Sequence, residues 1–144
     1  MDKLLIVIFI IGLAYAEKEC QEGWIKAEGD CYHIGKEFLD YFESDEYCKN
    51  LDSRLAEFNQ DKIPKQLEIA LKEDHLDSCG HRDPICEWWV GSKEHKIDEE
   101  WYDSCVELEH TKGKPFKFNY ITNDEHDRCY IDFRPICQKR LFHI

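Results

Sequence analysis

The sequence predicts an α+β domain, with helices in its first half and an antiparallel sheet in its second. Three observations predict it. Ile63, Leu67, Ala70 and Leu71 recur at i, i+4, i+7 and i+8, the buried stripe of a helix. From Trp88 onward the chain breaks into short apolar segments separated by polar turns, the pattern of short strands. Eight cysteines, at 20, 31, 48, 79, 86, 105, 129 and 137, stand in a chain of 144 residues. That even number is typical of small secreted domains held by disulfides.

The first segment, MDKLLIVIFIIGLAYA, has Lys3, an apolar run from Leu4 to Leu13, and Ala14-Tyr15-Ala16. This layout predicts a signal peptide over residues 1–16 and a single domain over residues 17–144. The apolar run is shorter than the roughly 20 residues a membrane span requires. Every cysteine follows the cleavage site, so the expected compartment is extracellular and oxidising.

The next stretch, CQEGWIKAEGDCYHI, reads as two short strands around AEGD, with Cys20 and Cys31 placed to staple the hairpin. A helix is predicted from Ser44 to Leu51, with Ser44 as N-cap and Tyr47, Cys48 and Leu51 on one face. A second helix is predicted from near Asp61, because Pro64 is tolerated only in a first turn. After Lys72 the chain reads as loop, through HLDSCGHRDPICE. Strands are predicted at about 88–91, 105–109, 116–121 and 129–137.

The net charge is −12. That excludes nucleic acid as an expected partner and disfavours anionic membrane surfaces. No segment predicts membrane insertion, and there are no repeats or linkers. His75, Cys79, His81 and Cys86 offer four zinc-ligand types, but their spacing matches no closed finger and the compartment oxidises thiols. A Cys–His nucleophile needs a free thiolate beside a base, so with paired cysteines no enzyme is expected. Asn50, Asn59, Asn119 and Asn123 lack the Ser or Thr of a glycosylation acceptor. The island KGKPFK, residues 112–117, is basic on an acidic chain. It reads as a turn between strands and, secondarily, as a contact for an anionic ligand.

The order of these pieces resembles the C-type lectin-like domain. The matching residues are CQEGW and CYHI, Cys48 within the first helix, RLAEF before the second, Trp89-Val90-Gly91 for the family's Trp-Ile-Gly, DSCVEL for its Glu-Asp-Cys strand, and a last cysteine pair with seven residues between. The resemblance covers essentially residues 17–144. It implies bridges Cys48–Cys137, Cys105–Cys129 and the long-form hairpin bridge Cys20–Cys31, which leaves Cys79 with Cys86.

In sugar-binding members of that family, calcium sits in a long loop between the Trp-Ile-Gly and Glu-Asp-Cys strands. Glu-Pro-Asn or Gln-Pro-Asp in the loop, and a Trp-Asn-Asp before the second-last cysteine, supply its ligands. Calcium needs six to eight converging oxygens. Here residues 92–102 carry no such triplet, and Asp124-Glu125-His126 stands where Trp-Asn-Asp belongs. Asp98, Glu99, Glu100 and Asp103 are the only makeshift set, and adjacent acidic residues point different ways.

The expectation is therefore a secreted module of C-type lectin-like type, without metal or cofactor, that binds an extracellular protein or a glycan through residues 92–103 and 110–128. Lys93, His95, Lys96, Trp101 and Tyr102 are the candidate ligand contacts. Of Trp24, Trp88, Trp89 and Trp101, most are expected in the core. The alternatives are a calcium-dependent carbohydrate-binding lectin with a non-standard site, and a toxin-like or structural secreted protein acting as an oligomer. The expected state is a monomer or weak oligomer.

Overall fold

The computed structural model describes residues 19–79, 84–91, 95–97, 100–102 and 105–141. The predicted signal peptide lies outside them, as do Lys93, His81, Asp98, Glu99 and Asp103.

Strands β1 (Ile25–Ala27) and β2 (Asp30–Ile34) form the predicted hairpin, turning through Glu28 (φ 48°) and Gly29 (φ 81°). Positive φ at both central residues gives a two-residue turn whose twist matches that of its strands. Helix α1 spans Tyr41–Asn50 and starts three residues earlier than Ser44. Its N-cap is Asp40. The Asp40 carboxylate accepts from the Glu43 N–H at 2.8 Å, and the Glu43 carboxylate accepts from the Asp40 N–H at 3.2 Å. This reciprocal box satisfies two end amides at once, which Ser44 alone cannot do. Ser44 is instead buried inside the helix, its Oγ without a hydrogen-bond partner. Leu51, expected on the buried face with Cys48, ends the helix and is exposed.

After β3 (Arg54–Leu55) and a 3-10 turn (Asn59–Asp61), helix α2 spans Lys65–Asp74. It begins after Pro64, not near Asp61. Gln60 and Asp61 adopt positive φ, and a proline bars the residue before it from helical geometry. Leu67 and Leu71 are fully buried, while Ile63 and Ala70 are half-buried. The predicted loop after Lys72 is helical as far as Cys79, because α2 runs on into a π turn, His75–Cys79.

The later strands are β4 (Ile85–Val90), β5 (His95–Ile97), β6 (Glu100–Tyr102), β7 (Cys105–Thr111), β8 (Lys117–Ile121) and β9 (Arg134–Arg140). Cys129 is not in a strand. It belongs to a 3-10 segment, Asn123–Tyr130, whose polar run NDEHDRCY has no apolar alternation to lay on a sheet. The main sheet is ordered β1-β2-β9-β4-β7-β8, with β3 also on β9. All its pairings are antiparallel except one. β4 and β9 meet in parallel, Trp88 opposite Arg134 and Trp89 opposite Pro135. The sheet is therefore mixed rather than purely antiparallel.

Adjacent strand residues face opposite ways, so Trp88 and Trp89 enter two different cores. Trp88 packs with Leu67, Leu71, Val90, Val106, Leu108 and Ile136 under α2. Trp89 packs with Leu55, Ile121 and the sulfurs of Cys48, Cys105, Cys129 and Cys137, beside α1. Each indole N–H is satisfied: Trp88 donates to Asp74 at 3.0 Å, and Trp89 to the carbonyls of Leu39 and Ile131, both at 3.0 Å. Asp74 also accepts the Arg134 guanidinium with both oxygens, one contact at 2.9 Å, which fixes the end of α2 to β9.

Four disulfides close the domain: Cys20–Cys31, Cys48–Cys137, Cys79–Cys86 and Cys105–Cys129. Three of them are the pairs that the family resemblance implies, and Cys79–Cys86 joins the two cysteines it leaves over. The zinc alternative loses two of its four ligands to the third bridge. Cys48–Cys137 has a separation of 89 residues and Cys20–Cys31 one of 11. Loop-closure entropy grows with that separation. Replacing Cys48 and Cys137 with alanine is therefore predicted to cost up to about 4.6 kcal/mol in urea unfolding, against about 2.8 kcal/mol for the hairpin pair. Equal losses would show that the long bridge does not dominate.

Candidate functional site

The chain leaves the main sheet at Gly91. Its N–H donates to the Ala56 carbonyl at 2.8 Å, and a Cβ there would lie 2.8 Å from the Leu55 carbonyl oxygen. Only glycine permits that approach, which explains the last residue of WWVG. The connector then folds on itself. β5 and β6 pair as a separate two-stranded sheet, His95 opposite Tyr102, Lys96 opposite Trp101 and Ile97 opposite Glu100. Four of the five predicted contacts thus occupy paired positions of one hairpin, and Lys93 lies outside the described residues. The chain re-enters the main sheet at Cys105.

Cys105 is bridged to Cys129, so the 3-10 segment is tied to the same end of the sheet as the connector. That segment carries an aromatic group the sequence reading did not assemble. His126 and Tyr130 meet Phe42 of α1, with ring centroids 5.8 Å (Phe42–His126), 5.4 Å (Phe42–Tyr130) and 5.6 Å (His126–Tyr130) apart. Phe42 is 46% exposed and Tyr130 57%, and Ile131 beside them is exposed as well. The available signal was the spacing of two ring-bearing residues, His126 and Tyr130, four apart around Cys129; nothing local pointed to Phe42. Two of the candidate tryptophans are excluded as contacts, since Trp88 and Trp89 are fully buried, and Trp24 is half-buried against His33.

The segment 110–128 does not act as one surface. β7 pairs Cys105 with Ile121 and, at its other end, Thr111 with Ile85. The basic turn at 112–115 therefore lies a strand's length away from the connector. Beside it, His75 and His110 are buried with their Nδ1 atoms 2.8 Å apart.

On the α1 side of the sheet, β4, β7 and β8 carry a row of polar residues. Glu107 is fully buried, with Arg128 Nη2 at 2.8 Å and the Asn119 amide donating to it at 3.4 Å. Glu109 takes the same amide at 3.5 Å and stands opposite Glu87. No three His, Cys, Asp or Glu among the described residues form a metal-holding group.

No family model matches the chain, and no curated protein matches it in sequence. Solved structures do. The C-type lectin-like domain of mouse CD72a superposes with a TM-score of 0.61 at 20% identity, over 87% of this chain and 97% of that one. Rhodocetin gives 0.56 at 14% identity, over 85% and 98%. The C-type lectin domain of murine dendritic cell inhibitory receptor 2, solved with an N-glycan, gives 0.54 at 16% identity, over 85% and 99%. This chain has the C-type lectin-like fold. Within it, the connector between β4 and β7 contains the paired strands β5 and β6, and Glu107, two residues past Cys105 on β7, is held by Arg128 and Asn119. No helix among the described residues is long and apolar enough to cross a membrane.

The crowded carboxylates have a cost. Burial, a hydrogen bond with Glu107, and the charges of Glu107 and Glu109 push Glu87 up to about 7. The folded state thus holds a proton on Glu87 that the unfolded chain releases above its ordinary value. Its contribution favours folding at low pH and is lost as pH rises through about 7. Glu87→Gln is predicted to raise the melting temperature at pH 8 and to change it little at pH 5; the opposite dependence in a thermal-melt series would refute this. Arg128→Ala leaves buried Glu107 undercompensated and is predicted to cost about 1–3 kcal/mol in urea unfolding, part of it recovered by adding Glu107→Gln.

Proposed function

We propose that the chain is a secreted binding module that recognises an extracellular protein or glycan without calcium. The ligand meets the end of the sheet where the connector and the 3-10 segment adjoin. The observation that carries the reading is the exposed ring cluster of Phe42, His126 and Tyr130, pinned beside the connector by Cys105–Cys129. Clustered exposed aromatics on a rigid frame are the usual source of binding energy in small recognition surfaces, because they desolvate large area at low entropy cost. Lys93, His95, Lys96, Trp101 and Tyr102 of the connector complete the proposed surface.

Calcium independence is supported by the connector itself. Three residues on each side are committed to β5–β6 pairing, which leaves little chain for a loop that must converge six or more oxygens. Glu107 already has a cationic partner. The fold supports binding in general: among structures sharing it, one is a complex with N-glycan. The reading takes residues 1–16 as a removed leader and residues 17–144 as one domain that acts as a single chain.

A glycan array run with and without EGTA tests the reading, together with calorimetric titration of calcium. Binding is expected to be the same with EGTA present, and calcium to give no heat. Phe42→Ala and Tyr130→Ala are each expected to weaken binding by about tenfold or more. Binding that EGTA abolishes would establish the calcium-dependent reading instead. A gel-filtration mass above one chain would favour the oligomeric one.

A further inference from the structure

The basic turn and the buried histidine pair belong to one cleft that the proposed function does not use. It has a volume of about 670 Å³ and is lined by Glu68, Lys72, His75, Leu76, His110 and the 112–115 turn with Lys112 and Lys114. Lys72 is 3.0 Å from Glu68, so that pair is close to neutral, and Lys112 and Lys114 add positive charge at the rim. Three lysines thus converge on one cleft of a chain whose net charge is −12.

The floor is chemically unusual. With Nδ1 of His75 and Nδ1 of His110 only 2.8 Å apart, one must donate and the other accept. The pair can carry no charge or one positive charge in this geometry, and a second proton would drive the rings apart. His110 also stacks on Phe116, at 4.5 Å between centroids. Its surroundings are His75 from the π turn, Lys72 and Glu68 from α2, and the lysines of the turn.

We propose that this cleft is an oxyanion site that takes a sulfate or phosphate group, with Lys72, Lys112 and Lys114 at its rim and the His75–His110 pair as its floor. The lysines supply charge-assisted donors suited to tetrahedral oxyanions. The histidine pair makes the site proton-linked. Burial, then the neighbouring His75 and Lys72, hold His110 below the ordinary imidazole range, so a proton on that ring is disfavoured while the cleft is empty. An anion in the cleft offsets those positive charges and draws a proton onto the pair, so binding tightens as pH falls from 7.5 to 5.5.

The test is titration of inorganic sulfate into the intact protein, followed by calorimetry and by the imidazole NMR signals of His75 and His110. Sulfate is expected to shift both signals and move the His110 titration midpoint upward. The exposed double change Lys112→Ala/Lys114→Ala is expected to weaken binding about tenfold or more. Glu68→Gln, which removes a carboxylate from the described lining, is expected to strengthen it. A sulfated disaccharide compared with its unsulfated parent then separates a sugar-borne sulfate from the free ion. The proposal is overturned if sulfate leaves both imidazoles unmoved. It is also overturned if Lys36→Ala/Lys62→Ala, an equal change of charge outside the cleft, weakens binding as much. Phe42→Ala is expected to leave sulfate binding unchanged, so this result stands apart from that of the aromatic surface.

Discussion

The fold depends on a very short piece of parallel pairing. β4 and β9 share two residue pairs, and among the described residues they are the only ladder between β1-β2-β9-β3 on one side and β4-β7-β8 on the other. So small a ladder cannot hold two half-sheets by backbone hydrogen bonds alone. The residues at the junction supply the rest. Trp88 and Trp89 send indoles to opposite sides, each buries about 150–250 Å² of surface, and each finds a partner for its N–H. Arg134, opposite Trp88, grips Asp74 at the end of α2. One position in the sheet therefore locks both helical layers and both half-sheets together.

The disulfides extend this arrangement rather than replace it. Cys48–Cys137 joins α1 to β9, the strand that carries the junction, and its sulfurs lie in the same core as Trp89. Cys105–Cys129 fixes the far edge, where the connector and the 3-10 segment meet. The exposed rings of Phe42, His126 and Tyr130 sit on elements that cannot drift independently. A recognition surface built on such a base loses little entropy when it binds.

Much of the scaffold was legible in the residues. Leu67 and Leu71 announced α2, AEGD announced its turn, and the order of cysteines and the WWVG segment pointed to the C-type lectin-like fold. What was misread had competing local signals. Ser44 was a plausible cap, but Asp40 and Glu43 three residues apart cap better. The loop assigned after Lys72 is helical because His75 is buried against His110, a contact 35 residues away that sequence spacing cannot reveal. Cys129 was placed in a strand although its neighbours are polar. The candidate site was half legible. The connector and His126 could be picked out, but Phe42 joins His126 only through tertiary packing, and the single span 110–128 reaches both ends of the β7–β8 pair.

The Cys105–Cys129 bridge encloses β7, the 112–115 turn, β8 and all but the last residue of the 3-10 segment in one covalent ring. Its chemistry-bearing tips project from a frame whose ends are welded to each other and whose inner side chains, Val106, Leu108 and Ile121, are sealed in the interior. Such a ring separates what must stay constant from what is free to vary. New residues installed at either tip would alter what the molecule touches while leaving its architecture intact, which makes this ring the natural place to diversify or re-engineer its specificity.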